Sequence, residues 1–202
     1  LAQALERAGS ALETLERAGE PRIAYAVIEP GDHRLWYEYR GDGGRWTWRL
    51  AYREPAPAMP PRGTVVLLHG WSTSLATSLP WALAYAERGW RAVLVDLRNH
   101  GRSGKAPSGY GAREAADVGA LVDALADADR APLPRVVHGV SLGAVVALHV
   151  AAERADIAAV VAIEHRDSKP DDAVLGPRAV RHAIHQAEGE GAPIVEWCCA
   201  GL

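Results

Sequence analysis

The 202-residue chain has no phenylalanine, a single methionine and only two cysteines, and it lacks any long apolar run. No stretch of about 18 or more apolar residues occurs, so the sequence predicts no transmembrane helix within this chain. Cys198 and Cys199 are neighbours that rarely bridge to each other, which excludes a disulfide framework. Because no secretory signal peptide is visible either, we expect a cytoplasmic location.

The formal net charge of −3 excludes a strongly basic surface, and the sequence has no basic stripe. We therefore expect no nucleic-acid partner. Nearly half of the residues (49%) are apolar, and a chain of this length can bury one substantial core. The sequence thus predicts a single domain over residues 1–202.

One segment, residues 136–147, combines an apolar run, a glycine-containing turn and a second apolar run (VVHGVSLGAVVA). Its centre has the pattern G-x-S-x-G, with Ser141 between Gly139 and Gly143. Such a turn between a strand and a helix presents the serine on a strained backbone. We interpret the two glycines as positions where neighbouring chain passes too close for a Cβ atom. A helix cap is the alternative role for Ser141, because serine favours that position.

The N-terminal part of the chain has short patterned segments separated by turn residues. Apolar residues at intervals of three and four predict a helix over residues 1–20. Alternating segments between glycine- and proline-containing turns then predict antiparallel strands at 23–29, 33–40 and 45–53. A proline-rich connector follows at 54–62.

From residue 63 onward, apolar runs alternate with helical stretches. Runs at 64–68, 92–95, 135–138 and 157–163 predict strands that are covered on both faces. Helical patterns lie between these runs, at 74–88, 112–129 and 142–154, and the last of them is apolar almost all round. This order predicts an α/β fold with a mostly parallel sheet and helices on both faces, and functional sites at the carboxyl ends of the strands.

Three segments follow these strands: LLHGW at 67–71, DLRNHGRSG at 96–104 and GVSLGA at 139–144. In this order they resemble the α/β-hydrolase superfamily, and most of all its serine-aminopeptidase or monoacylglycerol-lipase-like branch of bacterial enzymes. The resemblance covers about residues 62–164 and implies an α/β-hydrolase sheet that here lacks its last strands. It also implies a serine hydrolase without a cofactor, acting on a small-molecule ester, or less readily an amide, through an acyl-serine intermediate.

The resemblance implies roles for the residues of these segments. Ser141 would be the nucleophile, and the backbone N–H groups of Leu142 and Trp71 would form an oxyanion hole. The side chain of Trp71 would line the acyl pocket. His69 would shape the loop that carries Trp71, and His100 would be structural as well.

Four further polar residues near these strand ends are expected to be structural. We expect Asp96 and Arg98 to pair locally and brace their loop. His138 on a strand and His149 on the central helix are expected to be satisfied core histidines.

The family pattern also needs an acid and a histidine after the serine, and these are not evident. We favour a C-terminally truncated chain, in which residues 165–188 would begin a cap. A second explanation places the acid at Glu164 and the base at His165, His182 or His185. A third is an inactive relative that binds ligand without hydrolysis. His182 and His185 share a helix face but lack a third ligand in a recognisable pattern, so no metal site is predicted.

Overall fold

A computed structural model of the chain describes residues 1–31, 36–42, 45–51, 59–163 and 194–196. The strands in these ranges are β1 (Leu12–Leu15), β2 (Ile23–Ile28), β3 (Trp36–Asp42), β4 (Arg45–Ala51), β5 (Thr64–Leu68), β6 (Arg91–Val95), β7 (Arg135–Val140), β8 (Ile157–Ile163) and β9 (Ile194–Glu196). The helices are α1 (Ala2–Arg7), α2 (Leu79–Ala86), α3 (Ala112–Asp127) and α4 (Leu142–Glu153), and a 3₁₀ turn, Leu75–Ser78, precedes α2.

Seven of these strands form one sheet in the order β1-β2-β6-β5-β7-β8-β9. Neighbouring strands pair in parallel along the part of the sheet that is ordered β6-β5-β7-β8-β9. Strand β2 is antiparallel to both β1 and β6. Strands β3 and β4 form a separate antiparallel pair. The predicted α/β fold, with a mostly parallel sheet and antiparallel strands near its N-terminus, is confirmed.

Helices cover the two faces of the sheet, as predicted. Alternate strand residues point to opposite faces, and they enter two separate apolar clusters. Val66 and Leu68 pack with α3 and α4. Val65 and Leu67 pack instead with α1 and α2. The continuous apolar runs of the sequence therefore reflect strands that are buried on both sides.

Helix α4 is the central helix, and it lies against β7, β8 and α3. Most of its side chains are buried, which agrees with the prediction that a helix apolar on all sides is enclosed by protein. Ser141 occupies its N-cap position, directly after β7. The packing of α4 thus fixes the end of β7 and the position of Ser141.

The predicted helix over residues 1–20 is wrong beyond its first two turns. Helix α1 ends at Arg7, Gly9 has a φ of +71°, and the chain then enters β1. In β1 the Glu13 carboxylate accepts two hydrogen bonds from Arg130 and one from Tyr25. These partners and the pairing of β1 with β2 are distant in sequence, so they override the local helical pattern.

The C-terminal part gives a second correction, because we expected no strand after 157–163. The short strand β9 pairs with β8 and extends the sheet by one strand. Residues 164–193 and 197–202 lie outside the described residues. This places Glu164, His165, His182, His185 and the expected cap at 165–188 outside them too. Within the described ranges, no helix has both the length and the apolar character that a membrane span requires.

Candidate active site

Ser141 lies in a strained turn between β7 and α4. Its φ of +53° and ψ of −114° place a non-glycine residue in a region that L-amino acids rarely adopt. Its side chain makes no capping hydrogen bond to the helix. Ser141 therefore occupies the N-cap position of α4 without capping the helix through its side chain.

Gly139 and Gly143 lie where the chain passes very close to itself. A Cβ on Gly139 would lie 2.0 Å from the carbonyl oxygen of Gly143. A Cβ on Gly143 would lie 2.3 Å from the carbonyl oxygen of Leu68. Both obstacles are backbone atoms, which no side-chain rotation can move aside. The turn can therefore form only with glycine at these two positions.

The loop after β5 lies against this turn. A Cβ on Gly70 would be 3.5 Å from the Cβ of Ser141 and 3.5 Å from the carbonyl oxygen of Val140. Trp71 follows Gly70 directly. The structure thus brings the loop that carries Trp71, after β5, against the turn that holds Ser141 and Leu142, after β7.

His69 is buried beneath this loop, and both of its ring nitrogens have partners. Nε2 accepts a hydrogen bond from the Leu97 N–H at 3.1 Å. The ring proton therefore resides on Nδ1, which donates to the Gly70 carbonyl at 2.7 Å. Burial lowers the pKa of His69, so the imidazole is neutral. With both nitrogens engaged, His69 is placed to hold the loop and not to accept a proton from Ser141.

His100 connects this loop to the loop after β6. Its Nε2 accepts from the Ser72 N–H at 3.2 Å, and its Nδ1 donates to the Arg98 carbonyl at 2.9 Å. Its ring also meets the Trp71 ring edge-on, at 5.2 Å between centroids. These contacts hold the two loops together, so His100, like His69, has a structural role.

Trp71, on the loop that lies against the Ser141 turn, forms a half-exposed aromatic pair with Tyr110. Their rings stack at 5.4 Å with 21° between the planes, and they are 46% and 45% exposed. Tyr110 has a φ of +49°, which is rare for an aromatic residue. Sequence reasoning missed Tyr110, because nothing in the segment SGYG indicates its contact with Trp71. The Gly111 that follows it was the only local sign of an unusual backbone, with a φ of +144°.

Asp96 and Arg98 do not pair with each other, so that prediction is wrong. The buried Asp96 carboxylate instead accepts from the backbone N–H groups of Leu75 at 2.7 Å and Arg102 at 2.8 Å. A Cβ on Gly101 would lie 2.0 Å from this carboxylate. Asp96 therefore ties its own loop to the start of the 3₁₀ turn through backbone bonds, which the sequence does not reveal.

Arg98 pairs with Asp117 of α3, 19 residues away. Its Nε and one terminal nitrogen donate to the two carboxylate oxygens at 2.7 and 2.9 Å, in the bidentate arrangement typical of strong pairs. Arg98 also donates to the carbonyls of Pro107 and Arg113. Arg17 forms a further hydrogen bond to Asp117. This buried cluster braces the loop after β6, as expected, but through different partners.

The other two described histidines lie elsewhere. His138 is buried on β7, where its Nδ1 meets the Tyr85 hydroxyl at 3.1 Å. Its Nε2 has no hydrogen-bond partner among the described residues, so His138 is a core histidine but only half satisfied. The ring of His149 lies where a Cβ on Gly111 would be. In the described ranges, no histidine nitrogen lies within hydrogen-bond distance of the Ser141 hydroxyl, and no cluster of three or more His, Cys, Asp or Glu could hold a metal ion.

A mostly parallel sheet, with a serine turn after the interior strand β7, is typical of the α/β-hydrolase fold. The alpha/beta hydrolase family model matches residues 65–198, which is more than half of the chain. The chain therefore belongs to the alpha/beta hydrolase family.

Similar proteins include one of Bacillus subtilis (strain 168), the uncharacterized protein YqkD, 32% identical over 85 residues, or 42% of this chain and 28% of that protein. Among solved structures, epoxide hydrolase VrEH1 of Vigna radiata is similar over 90% of this chain and 48% of its own, at 20% identity and a TM-score of 0.54. The esterase EaEST of Exiguobacterium antarcticum is similar over 74% of this chain and 44% of its own, at 18% identity and a TM-score of 0.52. The chain thus spans less than half the length of each of these proteins, and the structural likeness shows the fold alone.

Proposed function

We propose that this protein is a serine hydrolase that cleaves carboxylic esters, and less readily amides, through an acyl-Ser141 intermediate. The observation that carries the proposal is the conformation of Ser141, a strained non-glycine residue wedged between two obligatory glycines. Strain of this kind concentrates at functional sites, where it serves to present a reactive group. Structural serines do not need it.

In the proposed reaction, the Ser141 hydroxyl attacks the ester carbonyl carbon while a base takes its proton. A new O–C bond forms, and the carbonyl electron pair moves to the oxygen. Collapse of this oxyanion breaks the bond to the alkoxy group, which leaves with the proton from the base. Water then attacks the acyl-serine while the base takes a proton from it. The second oxyanion collapses, the serine leaves with that proton, and the acid is released.

The oxyanion would accept hydrogen bonds from the N–H groups of Leu142 and Trp71. Leu142 is the first residue of α4, so its N–H has no partner within the helix. Removing one such donor from a hydrolase costs about 3–4 kcal/mol of transition-state stabilisation. The half-exposed rings of Trp71 and Tyr110 would contact the substrate beside the reacting carbonyl.

The base and its orienting acid would come from outside the described residues. Within this sequence, Glu164 is the alternative acid, with His165, His182 or His185 as the alternative base. Further candidates would lie in any part of the complete protein that this sequence omits. The serine-aminopeptidase or monoacylglycerol-lipase-like branch remains the proposed affiliation within the family.

Ester chemistry is favoured over epoxide chemistry by the nature of the nucleophile. A serine hydroxyl that opened an epoxide would leave an ether on the protein, which water does not hydrolyse under ordinary conditions. An acyl-serine is an ester, and attack by water can hydrolyse it and free the serine. The serine in the turn therefore fits turnover of esters, although both epoxide hydrolases and an esterase share the fold.

The test is labelling of the complete protein with a fluorophosphonate, which reacts with activated serines. We expect one adduct, on the tryptic peptide 136–154, where Ser141 is the only serine. Ser141→Ala should abolish labelling, whereas Ser10→Ala, in the turn between α1 and β1, should leave it intact. Assays with 4-nitrophenyl acetate and styrene oxide should show turnover of the ester alone. An unlabelled wild-type protein, or labelling that persists in Ser141→Ala, would contradict the proposal.

A further inference from the structure

The peptide groups on both sides of the Trp71 α-carbon are held by side chains. On one side, the Gly70 carbonyl accepts hydrogen bonds from the Thr73 hydroxyl at 2.8 Å and from His69 Nδ1 at 2.7 Å. On the other side, the Ser72 N–H donates to His100 Nε2 at 3.2 Å. Two consecutive peptide planes are thereby fixed around one residue.

The first of these bonds determines where the Trp71 N–H points. A trans peptide group is planar, so its N–H and C=O point in opposite directions. Because the Gly70 carbonyl is directed towards Thr73 and His69, the Trp71 N–H is directed away from them. Rotation of this peptide would break both hydrogen bonds.

The second bond stabilises a strained residue. Ser72 has a φ of +59°, which costs free energy for any residue except glycine. His100 holds the Ser72 N–H in this conformation while its own Nδ1 is anchored to the Arg98 carbonyl. Its ring also packs against the rings of Trp71 and His69. The loop after β6 thus controls the geometry of the loop after β5.

We propose that Thr73 and His100 are positioning residues, which fix the two peptide groups around Trp71 and so aim its N–H at the substrate oxyanion. The inference rests on the proposed function, since it assumes that the Trp71 N–H is an oxyanion donor. Neither residue touches the substrate. Each acts through a backbone group, and the effect of each falls on the transition state, where negative charge develops on the oxygen.

The structure offers a matched control for Thr73. Thr77 is equally exposed and donates the same kind of local hydrogen bond, from its hydroxyl to the Ser74 carbonyl at 2.9 Å. This bond lies in the 3₁₀ turn and holds no peptide beside Ser141. Thr73→Val and Thr77→Val therefore remove equivalent bonds, only one of which bears on Trp71.

The experiment measures ester hydrolysis by the complete protein and by these variants. Thr73→Val should lower kcat about tenfold with little change in KM, which is part of the loss seen when an oxyanion donor is removed entirely. Thr73→Ser should restore the activity, and Thr77→Val should match the wild type. His100→Gln, whose amide oxygen can accept from the Ser72 N–H, should retain more activity than His100→Leu.

A transition-state analogue adds a readout that a merely structural role would not change. Inhibition by a trifluoromethyl ketone, which forms an oxyanion adduct on serine, should weaken in Thr73→Val by the same factor as kcat/KM. An active wild type with Thr73→Val indistinguishable from Thr77→Val would overturn this inference alone. A wild type that neither reacts with a fluorophosphonate nor turns over an ester would overturn the proposed function and this inference with it.

Discussion

At the carboxyl ends of the parallel strands, loops are held by buried polar side chains, whereas at the amino ends they are held by partly exposed ion pairs. Asp96, His69 and Asp117 at the carboxyl ends are almost fully buried. At the amino ends, Arg130 in the loop before β7 pairs with Glu13 of β1, and about a third of each side chain remains exposed. Arg135, Arg154 and Asp156 form a similar group at the starts of β7 and β8.

The strain of the backbone follows the same division. Five non-glycine residues in the described ranges have positive φ. Asp129 lies near the amino ends, and the other four lie in loops at the carboxyl ends: Ser72, Asn99, Tyr110 and Ser141. Strained conformations persist only where the surroundings over-determine them. The buried hydrogen bonds of the carboxyl-end loops supply that constraint, so we expect substitutions there to cost more than equivalent changes at the amino ends.

The largest effect should come from Asp117→Ala in α3. It would leave the buried guanidinium of Arg98 without its carboxylate, and breaking a buried pair in this way costs about 3–5 kcal/mol of unfolding free energy. Asp123→Ala, on the same helix, is the control, because the Asp123 side chain, which pairs with Arg154, is 62% exposed. That change should cost less than about 1 kcal/mol. Urea denaturation of both variants measures the difference, and equal costs would break the comparison between the two ends.

Most of the fold could be predicted from the sequence, because most strands of the main sheet are short, continuous apolar runs bounded by turns. β5 and β8 match the predicted boundaries, and α3 and α4 differ only at their last residues. The errors at β1 and β9 have one cause. Both strands are short, and both are stabilised by pairing with a neighbour that no local pattern reveals.

The candidate site was predictable only where a sequence motif is typical of one backbone conformation. The G-x-S-x-G pattern was enough to predict the turn around Ser141, including the close contacts of its glycines. The partners of Asp96 and Arg98 were not predictable, since they depend on loops that meet only in the folded chain. The same holds for Thr73, whose hydrogen bond to Gly70 resembles many local bonds of threonine in loops.

A smaller effect is expected for Asp96→Asn. The amide keeps one acceptor oxygen, but its NH₂ group would face one of the two backbone N–H groups that now donate hydrogen bonds to Asp96. We expect a loss of about 2–3 kcal/mol for the hydrogen bond and the unsatisfied buried donor. The midpoint of urea denaturation checks this value. Unchanged stability would mean that the backbone bonds to Asp96 contribute little to holding the carboxyl-end loops.

His138 is a buried polar group on β7, between the amino and carboxyl ends of the sheet. Burial lowers its pKa to about 4, below the ordinary value for histidine. Between about pH 6.5 and pH 4 the unfolded chain binds a proton that the folded chain does not, so stability falls as the pH falls. The expected loss from this residue between pH 7 and pH 5 is about 2 kcal/mol.

Chemical denaturation of the wild type and of His138→Gln at both pH values measures this contribution. The variant should lose less stability between pH 7 and pH 5 than the wild type. His69, whose pKa is also lowered by burial, should leave a residual pH dependence in the variant. An identical pH dependence in both proteins would show that His138 is not buried as a neutral group.

The smallest effect should come from Glu13→Gln, which weakens the ion pair that holds Arg130 in the loop before β7. Glu13 accepts two hydrogen bonds of 2.6 Å from Arg130, but about a third of each side chain is exposed. Solvent screening limits such a pair to less than about 1 kcal/mol. The difference in unfolding free energy should shrink further in high salt. A loss comparable to that of Asp117→Ala would remove the distinction between the two ends of the sheet.

The most direct test of the account is to trap the acyl intermediate on the nucleophile. The complete protein would be mixed with 4-nitrophenyl acetate, quenched with acid during turnover and digested with trypsin. We predict an acetyl group on the peptide 136–154, attached to Ser141, and none in Ser141→Ala. Continued hydrolysis with no acetyl group on this peptide, or acetylation and turnover that survive Ser141→Ala, would contradict the assignment of Ser141 as the nucleophile.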